Sequence, residues 1–519
     1  MRAGLLLIAL LSAGAAHAQP ITTSPAPDRL EVTIYRDPDR GGEEAMNLDW
    51  LDGFALISER RRVTLQPGEN IVRFEGVAGG IVPQSAIVTG FPDGVVERNR
   101  DAYLLSPATL LDRSLGRRVH LRRTSRATGQ VREQEAVVCS GAGGAVVLET
   151  SDGIEALRCT GLPEAIVYDE IPPDLSAKPT LSIRVRAAAP VEAEISLSYL
   201  ATGFDWQADY IAELSDDGRS MRLFAWLTLA STDETSFPNA STQAVAGQVN
   251  YTRAEVPEAE GGPLTLNCWP SLTTSQIAEV VPDEEFTLSG TVAVEDAINN
   301  LPQVESEEGS MIVTASRIGR AAQVAVQEDL GDLKLYRIPE PVTVAANGQK
   351  QVALLIRDEV PVQLVYRVRT SADGFGEIGS AQRVLVTRNR EQERLGVPLP
   401  AGSVAAFVGR AGAPFLIGQG EMRDYAVGEE VEIDIGASPG VRVQQEVVDD
   451  NRTQGWTEIA LTVTNDHADP IAFEAELDLS EDSRILRPQL AERDGMRLWA
   501  VTVPANGSRT LRYRIAEDF

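Results

Sequence analysis

Between residues 206 and 229 apolar and polar side chains alternate in two successive runs, and no other feature constrains the fold of this chain as tightly. From Trp206 the apolar residues fall on every second position, Trp206, Ala208, Tyr210, Ala212 and Leu214, with polar Gln207, Asp209 and Glu213 between them and Ile211 the one break. A period of two is the mark of a half-buried β-strand. Asp216-Asp217-Gly218 follows, glycine supplying the positive φ that a tight reversal needs, and then Met221, Leu223, Ala225, Leu227 and Leu229 alternate again. Two such strands and a turn predict a hairpin.

The same short β-rich runs recur along the chain. Leu30 to Tyr35, Phe54 to Ile57, Arg62 to Leu65 and Asn70 to Phe74 are separated by Gly, Pro and polar punctuation, the spacing of an all-β sandwich or barrel. A chain of 519 residues exceeds a single core, so tandem β-sandwich and barrel domains are expected. The first covers 19–100. Within it, Phe74 to Ile81 is glycine-rich but lacks the Gly-Lys-Ser/Thr ending of a phosphate loop, and reads as a turn between strands. A short helix is predicted after Ser106, with Pro107 in an early helical position and Leu110, Leu111 and Leu115 following. Strands at Arg118 to Arg122, Glu133 to Cys139, Ala145 to Glu149 and Ile154 to Cys159 then predict a small SH3-like barrel over 101–175. Pro172-Pro173 to Pro179 suits an extended connector. A central β-sandwich is expected over 180–382, interrupted at 277–322 by a mobile acidic insertion too poor in apolar residues to offset its ordering entropy. Trp456 to Asn465 and Trp499 to Pro504 carry the alternation of an immunoglobulin-like sandwich, placed at 383–519.

The first eighteen residues have the layout of a secretory signal peptide: Arg2, an apolar run from Leu5 to Leu11, and small residues ending at Ala18. Cleavage after Ala18 and a periplasmic or secreted location are expected. The apolar run is far below the roughly 20 residues of a membrane-spanning helix, and no later span reaches that length. Losing Arg2 takes the formal charge from −29 to −30. So acidic a chain is repelled by nucleic acid and by anionic membranes. Export also makes disulfides durable. Of Cys139, Cys159 and Cys268, the two beside turn residues, Cys159 and Cys268, are favoured as a pair, with Cys139–Cys159 next.

The hairpin region resembles the domain of unknown function 4139, found in mucoidy-inhibitor-A-like proteins. The matching features are Tyr199-Leu200, Gly203, Trp206 to Tyr210, Asp217-Gly218 and Ala246-Gly247. The likeness resumes at Glu328 to Tyr336, Pro341 to Ala345 and Gln349 to Leu355, so the insertion interrupts one domain and does not divide two. It extends from about Tyr103 to Phe519, without the N-terminal coiled coil that many relatives carry. That family has no established activity.

Reactive constellations are sparse. The mature chain has two histidines, His120 among arginines and His467 in a turn, and neither adjoins a Gly-x-Ser-x-Gly elbow. No zinc spacing is present, and the turn aspartates Asp216-Asp217, Asp449-Asp450, Asp466 and Asp469 lack a calcium-loop pattern. No cofactor is expected. Two segments are candidates for partner contact. Arg117, Arg118, Arg122 and Arg123 read first as a solvated strand face, with an anion-binding patch as the alternative. Ile312, Val313, Thr314 and Ala315 lie in a heptapeptide that resembles the box by which outer-membrane receptors hand a strand to the energy-transducing protein TonB, and otherwise read as a loop or edge strand. The expected function is non-enzymatic binding to a protein or an envelope polymer. The rival is a carboxylate-dependent hydrolase of envelope glycans or exopolysaccharide.

Overall fold

The computed structural model describes residues 20–517 except 42–43, 102–104, 126–127, 141–145, 158–163, 173–174, 248, 251–323, 373–378, 411–412, 452–453 and 481–482. The fold is all-β, built from several sheets. Two compact units separate, a large one made of 20–101, 178–250 and 324–517 and a small one made of 105–177. The signal peptide, Cys159, Cys268, the 277–322 insertion and the heptapeptide containing Ile312 to Ala315 lie outside the described residues.

In the large unit the predicted hairpin is present. Strand Phe204–Leu214 pairs antiparallel with Ser220–Ser231, Leu214 opposite Met221, and Gly218 takes φ +65° at the turn. Asp217 fixes that turn by accepting from Ser215 Oγ at 2.7 Å and Arg219 N at 3.1 Å. The strand is not half-buried, however. It is the centre of a five-stranded sheet, paired on its other edge, in parallel, with Gly402–Arg410. Trp206, Ala208, Tyr210 and Ala212 enter the main core, while Asp205 and Asp209 on the opposite face are buried as well.

The expected boundaries at 100/180 and 382/383 do not divide this unit. Strand Arg29–Tyr35 pairs in parallel with Phe237–Ala246, and Phe54–Leu65 pairs along its whole length with Val191–Thr202. Strand Gly68–Glu75 pairs with Thr180–Ala187. Gly379–Arg388 straddles the second boundary, bonded to Gln363–Ser371 and to Glu430–Asn451. A period-two pattern tells which face of a strand is apolar and is silent on its neighbour, so domains drawn from it follow sequence order where the sheets do not. Leu333–Arg337 pairs with Phe237–Ala246, so the sequence on both sides of 251–323 lies in one sheet.

The C-terminal strands form a nine-stranded sheet wrapped over its own core. Val443, Leu461 and Tyr513 come from one half, and Val368, Phe473 and Val503 from the other, which is the arrangement of a sandwich.

The parallel contact yields a prediction. A Cβ on Gly402 would lie 1.7 Å from the Ala208 carbonyl oxygen. Gly402→Ala is expected to force the two strands apart and destabilise the large unit by roughly 1–3 kcal/mol. A thermal midpoint equal to wild type would contradict the registry.

Among its described residues the small unit is a five-stranded antiparallel sheet in the order Gly153–Ala156, Val147–Thr150, Val131–Val138, Arg118–Thr124, Glu164–Tyr168, with one helix, Pro107–Asp112. Four of the strands are those expected. Among the described residues no pairing joins the two outer strands into a closed barrel.

Candidate ligand-binding site

The small unit carries an apolar pocket, and the local sequence explains it. Ser106 caps the helix by accepting from Thr109 N at 3.2 Å, while Thr109 Oγ1 accepts from Ser106 N at 3.0 Å. Pro107 occupies the first turn, where its missing N–H costs nothing. Leu111 drops into a core with Val119, Leu121, Ala136, Val138 and Leu148. The helix is short, six residues or about 9 Å long. Beside it opens a pocket of about 520 Å³, floored by Leu121 and Ile166 and walled by Leu105, Pro107, Leu110, Leu157 and Tyr168. That volume falls in the range of small-molecule sites, roughly 300–1,000 Å³.

Among the described residues no charged side chain lines it. Ser106 and Tyr168 are its hydroxyl groups, and Ser106 is engaged in the helix cap. Burial pushes the Tyr168 phenol up to about 12, so it stays protonated near neutrality. Among the described residues the Tyr168 hydroxyl has no hydrogen-bond partner. It is therefore a donor available to a ligand.

The strand Glu164–Tyr168 that supplies Ile166 and Tyr168 was not expected from the sequence. Its signal was present: Ala165-Ile166-Val167-Tyr168 is a β-prone run between Pro163 and Pro172. Register puts Ile166 opposite Leu121 and Tyr168 opposite Val119, which aims both at the pocket side of the sheet.

The arginine patch lies on the neighbouring strand and the residue before it, and each member has a carboxylate partner. Arg117 pairs with Glu170 at 3.3 Å, Arg118 with Glu135 at 3.5 Å, Arg122 with Glu133 at 3.1 Å, and Arg123 with Glu155. An anion would have to compete with these side chains. His120, flanked by arginines in sequence, faces acids in space: Nε2 is 2.9 Å from Asp169 and Nδ1 3.6 Å from Glu133. Cross-strand partners, not chain neighbours, set its surroundings. Cys139 is an exposed free thiol.

Buried carboxylates of the large unit are the other place to look for chemistry. Asp205, 2% exposed, is pushed up to about 6 by burial, against the pull of Arg40 and of backbone donors. It accepts from Arg40 Nη1 at 2.9 Å, Trp206 N at 2.7 Å and Asp37 N at 3.1 Å, and so clasps the 36–53 loop to the sheet. Asp209, 4% exposed, accepts from Ser403 Oγ at 2.7 Å, Gln207 Nε2 at 2.6 Å and Thr228 Oγ1. Nearby Glu421 is raised by burial and then by the charge of Asp209. The glycine-rich turn does hold an anion, but it is the chain's own: Gly79 N and Gly80 N donate to Asp233 at 3.1 and 2.9 Å. Among the described residues no group of three His, Cys, Asp or Glu is placed to hold a metal ion, and no helix is long and apolar enough to cross a membrane.

The chain matches no family model and no curated protein. The functional reading therefore rests on the pocket and its chemistry.

Proposed function

We propose that this is an exported cell-envelope protein without catalytic activity, acting by binding, with the apolar pocket of the small unit as its ligand site. The leader-like first eighteen residues support export. The pocket carries the binding reading, because it is ligand-sized and its described lining holds no charge and one unused donor. Asp205 and Asp209, which a hydrolase reading would enlist, already accept three hydrogen bonds each from fixed partners. An envelope molecule or partner protein presenting an apolar group is the class of ligand that fits.

The test uses the full mature chain and Nile red, an uncharged apolar dye. Saturable one-site fluorescence enhancement is expected, and Leu110→Trp, which fills the pocket from its partly exposed wall, should weaken it at least tenfold. An unchanged dye isotherm in that variant would remove the pocket from the proposal. Cell-wall and exopolysaccharide substrates should show no turnover; turnover abolished by Glu421→Gln would establish the hydrolase instead.

A further inference from the structure

Resting on that reading of the pocket, we infer that its ligand is a neutral aliphatic chain ending in a hydrogen-bond acceptor, an ester or amide carbonyl, which the Tyr168 hydroxyl recognises.

Size sets the chain. A volume of about 520 Å³ holds on the order of fifteen groups as large as a water molecule, which is a medium-length acyl chain with its head group. Walls of Leu105, Leu110, Leu121, Leu157 and Ile166 offer that chain dispersion contact and nothing polar.

Charge sets the head. A carboxylate brought into this pocket would lose water without gaining a cation from any described lining residue, a penalty far above that of a neutral carbonyl. Arg123, on the same strand face, lies two residues beyond Leu121 and is bonded to Glu155. A formal charge of −29 adds a long-range penalty for any anion. A neutral carbonyl meets none of these costs. It accepts from Tyr168, whose phenol is protonated at pH 8 as any tyrosine's is, burial only raising it further. The hydrogen bond then discriminates between a carbonyl-bearing chain and a bare hydrocarbon of equal length, since a net bond is worth roughly 0.5–1.5 kcal/mol.

Titration calorimetry of the full mature chain with decanamide and with decanoate at pH 8 tests this. Decanamide should bind at least tenfold more tightly than decanoate. Tyr168→Phe should weaken decanamide by about three- to tenfold, with the thermal midpoint unmoved, whereas a merely structural Tyr168 would shift the midpoint and leave the selectivity intact. Equal affinity for the two probes, or decanamide binding indifferent to Tyr168→Phe, overturns the inference while leaving the pocket as a ligand site. So does Nile red binding that depends on Leu110 without any decanamide binding. If neither probe nor the dye binds, the ligand-site reading itself falls.

Discussion

Arg61→Met is expected to destabilise the large unit by about 3–5 kcal/mol, the cost of leaving one member of a buried ion pair without its partner. Arg61 and Glu59 are both 0% exposed, with Arg61 Nε 2.6 Å from Glu59 Oε2. The guanidinium also donates to Ser24 O at 2.8 Å and to Glu75 O at 2.9 Å, and lies over the Phe74 ring at 5.6 Å. One side chain thereby satisfies backbone carbonyls of two further strands. On the other side Tyr199 donates its hydroxyl to Glu59 at 2.8 Å and accepts from Ala78 N at 3.1 Å. Burial, and then the Glu59 charge, hold the Tyr199 phenol well above its usual range, so it remains a donor. Without Arg61, Glu59 keeps this single donor inside an apolar core. Adding Glu59→Leu should recover a large part of the loss, because replacing both charges removes the uncompensated carboxylate. Exposed Arg62→Met serves as control, within about 0.5 kcal/mol of wild type. The measurement is the urea midpoint of each protein, and an Arg61→Met midpoint matching that of the control would refute the assignment.

That network also shows where the sequence was legible and where it was not. Phe54 to Ile57 and Arg62 to Leu65 read as two short strands because Ser58-Glu59-Arg60-Arg61 between them is polar. The structure has a single strand, Phe54–Leu65, in which Glu59 and Arg61 alternate inward as regularly as Ile57 and Val63. A pattern that scores polarity cannot see a charge turned inward and neutralised by its neighbour. The same blindness assigned Asp209 to the solvent side of its strand. Hydrogen bonds from Thr228 and Ser403 bury it, and they come from strands whose adjacency no local pattern encodes. The hairpin, its Asp-Gly turn and the capped helix were readable, since each depends on residues within a few positions of one another. The pocket was not. It is lined from the start of the helix and from a fifth strand, Glu164–Tyr168, whose pairing with Arg118–Thr124 no local pattern encodes.

The largest effect in the main core is expected from Trp206→Ala, at about 3–5 kcal/mol, through the lost transfer energy of the indole and the cavity left behind. Trp206 is 1% exposed, and its Nε1 donates to the Val245 carbonyl at 3.0 Å. The ring lies 5.8 Å from that of Tyr336. Three strands therefore meet on this one side chain: its own hairpin, Phe237–Ala246, and Leu333–Arg337, which follows the 251–323 segment in sequence. Truncation strips the Val245 carbonyl of this indole donor and removes the surface against which Tyr336 packs, so the damage is shared across elements far apart in the chain. Trp206→Phe retains the apolar contact and loses the hydrogen bond, and should cost less, near the roughly 0.5–1.5 kcal/mol of one net hydrogen bond plus the smaller ring. Hydrogen exchange separates a shared core from a local defect. In Trp206→Ala the amides of 204–214, 237–246 and 333–337 should lose protection together, because the indole ties them into one cooperative unit. Loss confined to the hairpin would mean that the strand after residue 323 is held by something other than this ring.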